Sequence, residues 1–124
     1  MNTAATVQNH NHGSHALLDC YGCDAALLGD DKRLERILRE AAQAAGATIL
    51  AAHFHHFGAG AGVTGVLLLA ESHLSIHTWP EHRFAALDIY LCGGDIARAR
   101  SVLEHALHPA HGDWQLIPRG TRHQ

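Results

Sequence analysis

The period of polar and apolar positions changes several times along the chain, and each change marks an element. From His15 to Cys23 (H-A-L-L-D-C-Y-G-C) a short apolar run punctuated by Gly22 predicts a first strand. Leu34, Ile37, Leu38, Ala41, Ala42 and Ala45 then recur at helical spacing; Asp30 or Asp31 can accept from the free N–H groups at the start, and Gly46 supplies the stop. Ala47 to Phe57 has β-formers at both ends and predicts a strand with His53 and His55 on one face and Phe54 and His56 on the other. Val63 to Ala70, residues 73 to 79 and Phe84 to Cys92 read as three more strands, the last halted by Gly93-Gly94. Asp95 caps a second helix with Ile96, Ala99, Val102, Leu103, Ala106 and Leu107 on one side, ending near Pro109, and Trp114 to Pro118 makes a last short strand.

The order β-α-β-β-β-β-α-β, with short links between successive strands, predicts an α/β (α+β) fold: a two-layer sandwich of a mainly antiparallel sheet with two helices on one face. A length of 124 residues fits one domain, read as 14 to 124, with residues 1 to 13 a polar, aperiodic, mobile tail. Hydrophobic residues make up 47% and charged residues 17%, a globular composition. The net charge of -3 and scattered basic residues exclude a nucleic-acid footprint, since Lys32, Arg33, Arg36 and Arg39 alternate with acids and apolars on the solvated face of one helix. No apolar run approaches the length of a membrane span and the start lacks a signal peptide's basic and apolar regions, so a cytoplasmic location is expected, with no membrane partner. Three cysteines then read as free thiols.

Candidate chemistry centres on residues 66 to 81, V-L-L-L-A-E-S-H-L-S-I-H-T-W-P-E. The run Ala70 to Glu81 resembles the self-cleavage segment of the small bacterial and archaeal S-adenosylmethionine decarboxylases. The resemblance implies a proenzyme that cuts its own chain between Glu71 and Ser72, into residues 1–71 and 72–124, and converts Ser72 into a pyruvoyl cofactor. Such a ketone condenses with a substrate amine and accepts the electrons released as carbon dioxide leaves. The resemblance further implies His77 as the processing base, the Thr64 hydroxyl as its assistant, and Cys92, in Tyr-Leu-Cys-Gly-Gly, as the general acid of decarboxylation. Substrate contacts carry over to Phe57, Trp79 and Glu81, with Phe57 stacking on the adenine and Glu81 holding the ribose hydroxyls. It implies S-adenosylmethionine as substrate, a product that supplies aminopropyl groups for spermidine synthesis, and a homodimer with active sites near the subunit interface.

One geometric condition attaches to this reading. Ser72 and His77 have opposite parity on a strand, and an unbroken strand separates them by roughly 16 Å, at about 3.3 Å per residue. The strand must therefore bend or break at Ser72 if His77 is to reach it.

Other readings compete. Gly58 to Gly62 tempts a phosphate-loop reading, but it lacks a Walker ending and precedes a strand, so a flexible connection is expected. A decarboxylase of ornithine or arginine would keep Ser72, His77 and Cys92 and alter the nucleoside contacts. A non-catalytic zinc module would draw on Cys20, Cys23 and some of His53, His55, His56, His73 and His77. On a strand with Tyr-Gly between them, Cys20 and Cys23 are expected to be structural thiols rather than a redox pair, and no metal is called for by the pyruvoyl chemistry.

Overall fold

The computed structural model describes residues 12–122; the expected tail falls largely outside them, although Gly13 already begins a strand and the His12 backbone N–H bonds to the Arg119 carbonyl. In chain order the elements are β1 (Gly13–Tyr21), α1 (Ala25–Leu28), α2 (Asp31–Ala44), β2 (Ile49–His56), β3 (Val63–Leu69), β4 (Ser72–Trp79), a 3-10 turn (Pro80–His82), β5 (Phe84–Leu91), α3 (Ile96–Leu107) and β6 (His111–Arg119). The six strands form one sheet in the order β2-β3-β4-β5-β1-β6, every neighbouring pair antiparallel. This is the expected two-layer sandwich.

Period-2 patterning decides which face of the sheet meets the helices. Ala16 and Leu18 of β1, Leu67 of β3, Leu74 and Ile76 of β4 and Leu87 and Ile89 of β5 are buried. Leu34, Ile37, Leu38, Ala41 and Ala42 of α2 and Ala99, Leu103 and Leu107 of α3 pack onto them. Both helices start as expected from their sequences: the Asp30 side chain accepts from Arg33 N–H at 3.1 Å, and Asp95 from Arg98 N–H at 3.2 Å. Helix α2 stops at Gly46, whose φ of 83° few other residues adopt without strain.

Three differences from the sequence reading matter. The first strand ends at Tyr21, not Cys23, because Gly22 turns the chain at φ 73° and Cys23 is fastened instead to the turn after β4, by its N–H to the Arg83 carbonyl and its carbonyl to Arg83 Nε at 2.7 Å. A short helix, α1, follows, capped by Asp24 and too brief to show a period. The last strand runs from His111 to Arg119, longer than its apolar core, because the whole length of β1 is available as a ladder partner.

The opposite face of the sheet has no helix on it. Val66, Leu68, Trp79 and Tyr21 point from it and stay substantially exposed. At its centre Asp88 accepts from His15 Nε2 at 3.1 Å and from the Ser75 hydroxyl at 3.4 Å.

Candidate active site

The expected site residues fall into two groups, one at each end of the strands. At one end the two-residue turn between β3 and β4 presents Ala70 and Glu71, and β4 begins at Ser72. Glu71 has φ 60°, a left-handed conformation costly for a residue with a Cβ, and so the peptide bond preceding Ser72 is held in a strained turn. Strand β5 ends beside it. The Cys92 backbone N–H donates to Ser72 Oγ at 3.0 Å, and the Cys92 thiol donates to the Glu71 carbonyl oxygen at 2.6 Å.

Antiparallel pairing of β4 with β5 produces this meeting. His73 lies opposite Tyr90, so continuing the register sets Cys92 across from Glu71, one residue beyond Ser72, at the end of the ladder. A recess of about 320 Å³ opens there, walled by Gly46, Ala47 and Thr48 after α2 and by Gly93 and Gly94 before α3. Cys92 is exposed, whereas Cys20 and Cys23 are fully buried.

At the other end, Thr64 of β3 lies opposite His77 of β4, and its hydroxyl is 3.1 Å from His77 Nδ1. The glycine-rich connection curls here, closed by Phe57 N–H to the Gly62 carbonyl at 3.0 Å. It bounds a second recess of about 440 Å³ whose walls include Phe57, Thr64, His77, Trp79 and Glu81. Phe57 is 61% exposed and Trp79 40%, large aromatic faces without a cover. Trp79 stacks on Phe84, with centroids 5.4 Å apart.

Strand β4 is unbroken from Ser72 to Trp79, paired with β3 over residues 72–77 and with β5 over 73–79. The bend that would bring His77 to Ser72 within one chain is absent, so five residues of extended backbone keep them roughly 16 Å apart. Glu71, Ser72 and Cys92 cluster at one end of the strands; Phe57, Thr64, His77, Trp79 and Glu81 cluster at the other.

The zinc set does not assemble. Cys20 and Cys23 lie in the core on the helix side, while His53 and His77 point from the open side, and among the described residues no three metal-ligating side chains converge. The Cys20 thiol is paired with the Cys23 sulfur; that hydrogen bond and burial push its pKa well up, so it keeps its proton. Both are thiols of the core.

Two features escaped the sequence reading. The contact of Cys92 with the Glu71 carbonyl places that cysteine at the Glu71–Ser72 peptide; its spacing from the hairpin turn is the signal that could have found it. The brace of His55 against Phe57, with centroids 4.6 Å apart, had no such signal beyond period-2 adjacency.

The family model described as S-adenosylmethionine decarboxylase matches residues 14–120. Over 110 residues, 87% of this chain and 89% of the other, the sequence is 40% identical to the S-adenosylmethionine decarboxylase proenzyme of Methanococcus maripaludis. Over 81 residues, 65% of each chain, it is 48% identical to the proenzyme of Pyrobaculum arsenaticum. The crystal structure of the adenosylmethionine decarboxylase of Aquifex aeolicus superposes with a TM-score of 0.84 at 37% identity, covering 92% of this chain and 95% of that one.

Proposed function

Because the chain belongs to the S-adenosylmethionine decarboxylase family, we propose that it is a self-cleaving proenzyme whose catalytic unit is built from two copies. It decarboxylates S-adenosylmethionine to the aminopropyl donor of spermidine synthesis. The observation that carries the self-cleavage is the pair of hydrogen bonds from Cys92 to the two reacting groups, Ser72 Oγ and the Glu71 carbonyl.

The chemistry follows from that geometry. Ser72 Oγ adds to the Glu71 carbonyl carbon, and the Cys92 thiol donates to the oxygen as negative charge gathers on it. The peptide C–N bond then breaks, the Ser72 nitrogen takes a proton, and an ester links the two pieces. A base removes the Ser72 Cα proton; the Cβ–O bond breaks, the Glu71 carboxylate leaves, and a dehydroalanine stays behind. Its enamine takes up water and releases ammonia, leaving a ketone at position 72. The left-handed turn at Glu71 stores strain that cutting releases.

The residues at this end fit the pyruvoyl group. The recess is walled mainly by small residues, Gly46, Ala47, Thr48, Gly93 and Gly94, and holds one exposed thiol, so a small planar ketone can sit there beside a proton source. The ketone supplies the electron sink that loss of carbon dioxide requires. Cys92 donates the proton that the substrate carbon takes up afterwards.

His77 is the processing base, and the rise along β4 requires that it come from a second copy. The two groups lie at opposite ends of β4, His77 on the uncovered face and Ser72 at the hairpin end where that face meets the loops of the helix layer. A two-fold axis lying between two such faces and across their strands reverses strand direction, bringing each Ser72 end over the His77 end of the other copy. Exposed Val66, Leu68 and Tyr21 would be buried by that packing. The homodimer thus makes two composite sites.

The aromatic recess supports the nucleoside substrate over ornithine or arginine. Phe57 and Trp79 offer rings to a purine, and the Glu81 carboxylate beside them accepts from ribose hydroxyls, groups that a plain diamino acid lacks. No helix among the described residues is long and apolar enough to cross a membrane, and we place the enzyme in the cytoplasm, where its three thiols stay reduced.

Denaturing intact mass of the purified chain, beside Ser72→Ala, tests the cleavage; release of labelled carbon dioxide from S-adenosylmethionine, ornithine and arginine tests the substrate. Two fragments with a blocked residue 72, an uncut variant and turnover of S-adenosylmethionine alone are expected. An intact chain under all conditions, or preferred turnover of an amino acid without a nucleoside, refutes the reading.

A further inference from the structure

We propose that His55 is a positioning residue for nucleoside binding, bracing the Phe57 ring so that it presents a fixed face to the purine. The inference rests on the reading of Phe57 as the purine platform. A single phenylalanine at the mouth of a glycine-rich connection has freedom at both its ring and its backbone. Here both are restrained.

The imidazole of His55 meets the Phe57 ring edge to face, with centroids 4.6 Å apart and planes at 70°. His56, the next residue, accepts from Gly58 N–H through Nδ1 at 3.2 Å, and Phe57 N–H is itself bonded to the Gly62 carbonyl. The backbone of residue 57 is thereby pinned on each side, and His55 fixes the ring. Strand pairing keeps the brace in place: His55 lies opposite Thr64, which lies opposite His77, so one row across the sheet carries the brace, the hydroxyl and the base.

His55 points from the open face and touches the platform rather than the reacting bond. Its contribution is therefore to the orientation and affinity of the nucleoside, not to cleavage or to proton transfer. An isolated exposed ring samples several rotamers, and restricting it before binding removes part of the ordering cost of the complex.

The full-length chain carrying His55→Ala, His55→Phe or Phe57→Ala separates the possibilities. Complete self-cleavage is first verified by denaturing mass, and KM and kcat for S-adenosylmethionine are then measured. His55→Ala is expected to raise KM roughly 2- to 10-fold, the affinity equivalent of one edge-to-face ring pair, with kcat unchanged. His55→Phe, which keeps an aromatic edge without the imidazole, is expected to restore KM. An unchanged KM in His55→Ala while Phe57→Ala raises it overturns the brace and leaves the platform standing; an unchanged KM in Phe57→Ala overturns the platform itself. A fall in kcat for His55→Ala that His55→Phe does not rescue places His55 in the chemistry, and that too refutes the proposal.

Discussion

Two defective chains should repair one another. On the proposed mechanism, a chain carrying Ser72→Ala keeps His77 but has no nucleophile at the bond, and a chain carrying His77→Ala keeps Ser72 but lacks the base. Within one chain the base and the serine are held roughly 16 Å apart by an unbroken strand, several times the reach of a proton transfer, so neither variant should be processed alone. In the proposed two-fold dimer each Ser72 would face the other copy's His77. Co-expression of the two variants with tags of different mass, at equal levels, pairs them at random, and about half of the His77→Ala chains then sit beside a partner that supplies the base. About half of those chains should appear as two fragments in a denaturing mass spectrum, while every Ser72→Ala chain stays whole. No fragments in the mixture would refute the composite site. Full cleavage of His77→Ala by itself would refute His77 as the base.

Other expectations follow from single contacts. Cys92→Ala removes the donor to the Glu71 carbonyl and should slow self-cleavage about a hundredfold or more, followed by time-resolved gel analysis after synthesis; whatever cleaved enzyme accumulates should lack decarboxylase turnover. Thr78 is buried on the core side of β4, its hydroxyl donating to the Leu28 carbonyl at 2.7 Å and accepting from Val63 N–H at 2.9 Å, so Thr78→Val should cost about 1–3 kcal/mol in urea unfolding by leaving both groups unpaired. An aromatic disulfide reagent should titrate one thiol quickly in the native protein, Cys92, and reach Cys20 and Cys23 only after denaturation; fast reaction of all three would contradict their burial.

Much of this protein is local, and the local part is legible in the amino-acid order. The period-3.6 recurrence from Leu34 to Ala45 and the aspartates at positions 30 and 95 specify two helices and their starts, because capping and amphipathicity act within a few residues. Alternation of polar and apolar residues assigned His53 and His55 to one face and Phe54 to the other, since side chains on a strand have no other choice. Four residues, Ala25 to Leu28, are too few to carry a period, and α1 was accordingly invisible.

Strand neighbours lie beyond that range. Nothing between Tyr21 and Phe84 says that β1 will pair with β5 on one side and β6 on the other; those ladders join segments far apart in the chain, and only burial of one continuous apolar face selects them. The motif from Glu71 to Glu81 named the chemistry without its geometry. Sequence fixed parity and rise along β4, and so set the condition that Ser72 and His77 must be brought together somehow. Tertiary structure decided what each of them meets: pairing with β3 over residues 72–77 and with β5 over 73–79 keeps β4 straight, which brings Cys92 to Ser72 at one end of the strand and Thr64 to His77 at the other.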